Sequence, residues 1–447
     1  GGASCGVCRA IKPQLERLSS EQFPKLVTAY IDCQASAGAL CAAQGIFSLP
    51  VVQLWFEGQR FAEFARVFSI GEVRAALERP YRLIMQEQGV PFWCFRLFGF
   101  RFHSQYHGRG RTMNYSDTVR ETWRHSQAGV DPRDFRELVR YATLAASSHN
   151  TQPWIFELES DRIRILPDLS RRCPAVDPDD HHLYASLGCA AENLLLAAQA
   201  VGLKGRCQFD AMRSGLVIEF EEAEPLRSAL FEAIPQRQCS RSVFDGAPLS
   251  AGQLEQLQAA GRGEGVSVLL MILEDQKDLV ADYVARGNDA QFADPAWASE
   301  LKSWVRFNGK EAVRSGDGLY GPVMGNPAVP RWLGQLAMEA AFSAKKQNRK
   351  DCRHIHSSSA IAVLYSEVDD IPHWIEAGRC YQRLALQATA LGLCTAFINQ
   401  PVEVAALRPE FARAIGIEGL RPDFVVRIGH GPQMPRSLRR PVEDVIR

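Results

Sequence analysis

Charge of either sign is not in excess: Lys+Arg and Asp+Glu number 51 each. A balanced chain offers no broad attraction for nucleic acid or an acidic membrane, so no nucleic-acid partner is expected. Long apolar runs are absent as well. None reaches the roughly 18 residues a spanning helix needs, and no secretory leader is visible. No transmembrane segment is therefore expected, and a reducing cytoplasm is the default location. Cysteine is scarce for the length: 12 in 447 residues exclude a disulfide scaffold. Most, such as Cys189, Cys380 and Cys394, stand singly in apolar contexts and read as small buried hydrophobes. No Gly-x-Gly-x-x-Gly follows a strand, so the dinucleotide fingerprint is lacking. Familiar metal-ligand spacings are missing too. Cys352, His354 and His356 are expected on one side of a strand, and His181 and His182 near Cys189; neither is a recognised ligand set, and no metal is expected.

What is present is globular: 46% hydrophobic and 23% charged residues, enough chain for two to four domains. The first feature is a dithiol, "GGASCGVCRAIKP" at 1–13. Cys5 is expected at the start of a helix, where the dipole and free N–H groups lower a thiol pKa. Cys8, one turn in, can resolve a mixed disulfide. Half of a zinc site is the competing reading, but it needs a second pair, and Cys33 and Cys41 are eight apart. "KLVTAYIDC" (25–33) and "PVVQLWFEG" (50–58) read as strands. "SIGEVRAAL" (69–77) reads as a closing helix capped by Ser69.

Residues 1–80 resemble thioredoxin. "CGVCRAIKP" is similar to that family's Cys-Gly-x-Cys followed by a helix with a proline, here Pro13. "FSLPVVQLWFEG" is similar to the segment carrying its cis-proline, here Pro50. The resemblance implies a redox pair Cys5–Cys8 beside a substrate groove shaped by Pro50. It also implies that the opening strand and its buried acid would precede residue 1. Val7 stands where proline is common. Residues 81–130 read as a connector with an aromatic and basic centre at 92–102, and "HGRGRTMNYSD" (107–117) as a loop.

Beyond 130, helix and strand are mixed and a repeat is legible. "GCAAENLLLAAQAVGL" (188–203) aligns without gaps to "GRCYQRLALQATALGL" (378–393). Gly188, Leu194, Leu196, Ala198, Ala200, Gly202 and Leu203 match Gly378, Leu384, Leu386, Ala388, Ala390, Gly392 and Leu393. Both read as buried helices with glycine caps that pack together. "AASSHNTQPWIFEL" (145–158) concentrates Ser147, Ser148, Asn150 and Gln152, small groups able to read the edge of a heterocycle, or simply to make a turn. "PQRQCSRSVF" (235–244) sets Arg237 and Arg241 four apart, on one helical face able to grip a phosphate. Arg439 and Arg440 cluster near the end. One ring system and one phosphate suit FMN.

Residues 131–447 resemble the FMN-binding nitroreductase family, nearest its internally duplicated Acg-type branch. "SSHNTQPW" is similar to the family's Ser-Ser-x-Asn-x-Gln-Pro-Trp segment that contacts the isoalloxazine. "RQCSRSVF" resembles its phosphate-gripping Arg-x-x-x-Arg segment, with Cys239 where a hydroxyl residue is common. "ALGLCTAFINQPVE" resembles the loop facing flavin N5, which would place Asn399 and Gln400 there. The tail "PRSLRRPVEDVI" resembles the family's basic close. The resemblance implies a thioredoxin-like α/β fold at 1–80, then a duplicated α+β nitroreductase-like fold at 131–447 forming a pseudo-dimer. Repeat one is expected at 131–225, repeat two at 235–447, and a lid over the flavin at 288–335. The ring-binding segment sits in the first repeat and the arginine segment in the second, so one complete FMN site per chain is expected, in a monomer. The implied activity is an FMN-dependent NAD(P)H oxidoreductase passing electrons to a small molecule or a protein disulfide. The alternative is an FMN-sequestering protein whose thioredoxin-like module docks clients.

Overall fold

The computed structural model describes residues 6–23, 51–56, 59–65, 68–87, 114–126, 134–341 and 343–447. The chain divides into two compact units, Gly1–Gly110 and Arg111–Arg447. Cys5, Pro50, Cys33, Cys41, the strand expected at 25–33 and the 92–102 stretch lie outside the described residues.

In the first unit a helix runs over Gly6–Gln22 and contains Cys8 and Pro13. Strands β1 (Val51–Phe56) and β2 (Gln59–Ala65) pair antiparallel, with Val51 opposite Ala65 and Phe56 opposite Gln59. The helix Ile70–Glu87 follows. Its entry is a reciprocal cap: the Glu72 amide donates to Ser69 Oγ at 3.2 Å, and the Ser69 amide donates to the Glu72 carboxylate at 2.7 Å. That bond holds the Glu72 carboxyl below its usual range. Leu18, Phe23, Leu54, Val73 and Leu77 form the unit's buried cluster.

The second unit is a mixed α and β structure. Where the sequence suggests a loop ending at 117, a helix begins at Tyr115 and runs to Thr122. The Asn114 side chain accepts from the Asp117 amide and caps it. The following Trp123 is buried, so this part of the expected connector is packed core. After the helix Phe135–Thr143 come β3 (Trp154–Leu158), β4 (Arg162–Pro167), the helix His181–Ala200, β5 (Leu203–Asp210) and β6 (Gly215–Glu222). They form an antiparallel sheet ordered β3-β4-β6-β5. Then follow β7 (Val266–Met271), the short parallel pair β8 (Val305–Arg306) and β9 (Leu319–Tyr320), β10 (Ala360–Ser366), the helix Ile371–Ala390, β11 (Cys394–Phe397) and β12 (Arg421–Gly429). The second sheet is ordered β11-β12-β10-β7. Each four-stranded sheet thus runs first, second, fourth, third, and each has a 20-residue helix between its second and third strands.

Those two helices cross face to face, and glycine permits it. A Cβ on Gly188 would lie 1.9 Å from the Ile375 carbonyl oxygen. One on Gly378 would lie 1.9 Å from the Ala185 oxygen. Each glycine meets the carbonyl three residues before the other, so the crossing is symmetric in sequence as well as in space. The thiol of Cys189 donates to Gly378 O at 3.1 Å, and Gln382 Nε2 donates to Asn193 Oδ1 at 2.7 Å. Both helices stop at a left-handed glycine, Gly202 at φ +88° and Gly392 at φ +75°.

Cys352, His354 and His356 do not stand on a strand. They close the helix Ala344–His356, where Cys352 and His356 (i, i+4) share a face and His354 points away from it, with Cys352 exposed and His354 buried. The segment, rich in Lys, Arg and Gln, favours helix. The 288–335 stretch begins inside the helix Glu274–Ala293. It continues through the helices Pro295–Trp304 and Gly309–Ser315, and ends in the helix Arg331–Ala341.

Two glycines separate two physical roles. Gly378→Ala forces backbone apart and is expected to lower unfolding free energy by about 3 kcal/mol. Gly392→Ala, with open space around it, carries only left-handed strain, about 1 kcal/mol. Urea midpoints of the two variants check the order.

Candidate active site

The turn at Ser147–Gln152 is strained. His149, Asn150 and Gln152 have φ of 48°, 55° and 54°, and non-glycine residues hold that region only when surroundings over-determine them. Here they do. The Gln152 amide donates to Ser147 Oγ at 3.1 Å. Asn150 Nδ2 donates to Gly318 O (3.1 Å) and Leu438 O (3.2 Å), and Gln152 Nε2 donates to Gly316 O at 2.9 Å. Gln152 Oε1 accepts from the Arg440 amide at 2.9 Å. Asn150 and Gln152 are therefore engaged by the 288–335 segment and the C-terminal tail. Ser147, Ser148 and His149 line a cavity of about 250 Å3.

The arginines separate into two groups. Residues 235–236 finish a turn and 237–244 are not helical, with Cys239 bridged parallel to Thr395 and the Ser240 amide donating to Thr395 O. Arg237 and Arg241 therefore do not act as an i, i+4 helical pair. Arg237, buried, donates through Nη2 to Leu144 O at 3.0 Å. Arg439 reaches the same carbonyl at 3.2 Å, together with Thr143 O (2.7 Å), Ala145 O (3.0 Å) and Asn150 Oδ1 (2.9 Å). These carbonyls end the helix Phe135–Thr143, where a negative dipole end welcomes guanidinium. Arg436 joins them, donating to Pro235 O and Gln236 O. Arg436 and Arg439 each lie 4.8 Å from the centre of the Trp123 ring. Burial and mutual repulsion push Arg439 down, and burial with Arg237 pushes Arg436 to about 10. Among the described residues no carboxylate pairs with this trio, and Arg237 Nε, though buried, has no partner. Arg439 spends all five N–H groups on carbonyls and Asn150, so the buried donor this trio leaves for an anion is Arg237 Nε. Arg440 instead donates to Asp444 O and stands apart.

Arg241, Asn399 and Gln400 line the cavity. Asn399 Oδ1 accepts from the Val425 amide at 2.9 Å, and its Nδ2 lies 3.2 Å from His182 Nε2. Gln400 Nε2 donates to Asn288 Oδ1, and its Oε1 is buried without a partner. Tyr381, Phe397 and Phe424 make an aromatic wall, with ring centroids 4.4–5.6 Å apart. Orphaned donors and acceptors beside an aromatic wall fit a planar heterocycle such as the ring of FMN; the arginine trio does not line this cavity.

Sequence reasoning missed His182, Glu403, Asp351, Lys350 and Arg427, which also line the cavity. The signal for His182 is the acidic run Asp177–Asp180 just before it. Asp177 accepts from the amides of His182 and Leu183, both at 3.0 Å, which fastens the start of the helix His181–Ala200. Its carboxylate also lies 3.2 Å from His182 Nδ1. Asp177 raises His182 basicity against burial. Asn399, its oxygen committed to Val425, presents NH2 to Nε2 and holds the neutral tautomer with Nδ1–H on Asp177. Asp177, His181 and His182 bring their donor atoms within 4.8 Å of one another. Both Asp177 oxygens and both His182 nitrogens already have hydrogen-bond partners, and His181 Nε2 bonds Asp423 at 2.9 Å, so the set reads as a hydrogen-bond network rather than a metal centre. Burial pushes the Glu403 and Asp351 carboxyls up. It pushes His149 and His354 down to about 4.

No family model matches the chain. It is 26% identical over 340 residues to a Mycobacterium tuberculosis protein provisionally named NAD(P)H nitroreductase Rv3131, covering 71% of this chain and 92% of that one. It is 22% identical to the provisionally named NAD(P)H nitroreductase acg of the same organism, covering 69% of this chain and 94% of the other. Over 80 residues it is 35% identical to "Thioredoxin-like 3-2, chloroplastic" of Arabidopsis thaliana, which is 17% of this chain and 42% of that protein. Among solved structures, a nitroreductase with bound FMN from Bacteroides fragilis covers 48% of this chain and 95% of its own, at 13% identity and TM-score 0.30. One from Desulfitobacterium hafniense covers 49% and 97%, at 14% identity and TM-score 0.31.

The two depressed histidines predict acid sensitivity. Each is neutral when folded and gains a proton on unfolding between about pH 4 and 6.5, so stability falls as pH drops through that window. His354→Gln is expected to reduce the slope of unfolding free energy against pH there by about one proton, read from denaturant titrations at several pH values. By its sequence relatives, the chain joins a stretch that resembles a thioredoxin-like protein to a larger one that resembles the NAD(P)H nitroreductases.

Proposed function

We propose that the protein is an FMN-dependent NAD(P)H oxidoreductase of nitroreductase type, with a thioredoxin-like dithiol module. The observation that carries this reading is one aromatic, polar-lined cavity in a chain that also buries the trio Arg237, Arg436 and Arg439 without a carboxylate partner among the described residues. The trio would hold the FMN phosphate. Ser147, Ser148, Asn399 and Gln400 would orient the ring system. Bound FMN supplies the hydride and electron chemistry that no side chain here provides. The protein's share is to bind, orient and exclude water, while Asp177 fixes the His182 tautomer at the cavity wall.

The matching strand order of the two sheets, and the reciprocal glycine crossing of their helices, support a duplicated unit folded as a pseudo-dimer. The cavity is lined from both halves, by Ser147 and His182 of the first and by Arg241, Asn399 and Arg427 of the second. One FMN per chain follows. Cys5 and Cys8 are proposed as the pair that exchanges electrons with the flavin or with client proteins, with Pro50 shaping their groove.

A second reading, FMN sequestration with little turnover, draws on the 288–335 segment. Gln291, Trp297 and Leu319 wall the cavity, and Asn150, Gln152 and Arg171 tether the segment. One experiment separates the readings. Purified full-length chain is expected to show a flavin spectrum at one FMN per chain that bleaches anaerobically with NADPH. Two flavins per chain would overturn the single site. Flavin that stays oxidised under NADPH and NADH would favour sequestration. Bleached flavin with an unchanged thiol titre would refute internal transfer to Cys5–Cys8.

A further inference from the structure

A second group of cations lines the cavity itself. Lys350 is exposed at the rim, Arg241 is half-buried, and Arg427 is 1% exposed. Arg427 is anchored by two bonds from Nη2, to Ser240 O and Ser242 O, both 2.8 Å, and its guanidinium lies 4.1 Å from the centre of the Phe244 ring. Its Nη1 is buried and has no partner. Arg241 makes no ion pair among the described residues, and the Lys350 ammonium donates to Met324 O. Lys350 and Arg427 both feel the charge of Arg241. Burial, with Arg241 and Arg427, lowers Lys350, and burial together with Arg241 lowers Arg427 to about 10.

Counter-charge is short. Of the two carboxyls lining the cavity, Glu403 accepts from Gln291 at 2.7 Å and lies with His182. Asp351 alone stands beside the cations, and it is bonded to Asn288 and Gln347. His149 and His354, also on the wall, are held neutral. Like charges collected in a concave site are costly unless an anion joins them.

We infer that the cavity binds, beside FMN, a second small ligand bearing an oxyanion, carboxylate or phosphate, seated between Lys350, Arg241 and Arg427. The rise in burial from Lys350 to Arg427 gives the anion a path from rim to floor. The inference rests on the reading that assigns the flavin phosphate to Arg237, Arg436 and Arg439, since otherwise this second cluster could serve that phosphate.

The test titrates the full chain, with and without added FMN, with benzoate, pyrophosphate and neutral benzamide, followed by calorimetry and by the flavin spectrum. At least one anion is expected to bind more tightly than benzamide. Benzoate alone points to a carboxylate ligand, and pyrophosphate alone to a phosphate ligand. Lys350→Gln and Arg427→Gln are each expected to weaken that anion about tenfold, the loss of one charge-assisted hydrogen bond, with benzamide unchanged. Arg427→Lys should recover part of the loss. Lys350 is at the rim, so its variant keeps the test open if Arg427→Gln does not fold. Anions binding no better than benzamide would overturn the inference. So would variants that weaken FMN but not riboflavin, which would assign these cations to the flavin's own phosphate. Absence of flavin binding would sink the proposed function alone, because the titration without FMN still reports the oxyanion.

Discussion

The second unit depends on one contact: two 20-residue helices pressed backbone to backbone at Gly188 and Gly378. A side chain at either position would separate them, and everything built on their spacing would move. The helices carry Cys189, His182 and Ala185 on one side, and Tyr381 on the other, into the same cavity. Their polar seam is ordered in turn. Glu192 is clasped by Arg379 at 3.1 Å and Arg383 at 2.9 Å, while Glu376 pairs with both arginines from within its own helix. A buried carboxylate with two guanidiniums gains from charge and geometry together, although replacing such a set by apolar residues is often no less stable. Its effect is to fix which rotation of one helix faces the other.

The chain uses cations in two different settings. Near Trp123, guanidiniums are drawn to carbonyls at a helix C-terminus and to an aromatic face, which lowers the cost of their burial. In the cavity, Arg427 has half of that support and an unpartnered nitrogen on its other side. The first setting explains how arginines can be buried without acids. The second leaves a donor that nothing in the described protein satisfies.

Much of this was legible from local pattern. The glycines at 188, 202, 378 and 392 announced themselves because the aligned apolar stretches begin and end with them, although each helix starts seven residues earlier, which puts Gly188 and Gly378 mid-helix. The Ser69 cap and the strand at 51–56 were legible in the sequence; its antiparallel partner over 59–65 was not. The site was legible in part. Arg237 and Arg439 do converge, and Arg241, Ser147, Ser148, Asn399 and Gln400 do share a cavity. What sequence spacing missed was tertiary. Arg237 and Arg241 look like a helical pair, but a non-helical backbone sends them to different partners. Asn150 and Gln152 look like ligand readers, yet they hold the 288–335 segment and the tail. Lys350 and Arg427 lie 77 residues apart by number, and no local motif links them. The helix over 344–356 displaced an expected strand because its polar residues are good helix formers and its cysteine and histidines alternate only by chance.

The cavity's walls come from two separated stretches of a single polypeptide, 146–189 and 241–427. A site assembled from separate subunits empties as they part on dilution, and its occupancy then follows protein concentration. Here both walls stay at a fixed effective concentration set by the intervening chain. The geometry of the cavity is therefore a unimolecular property. It can persist at the lowest expression level, and on the proposed duplication each half is free to diverge without having to remain complementary to an identical copy of itself.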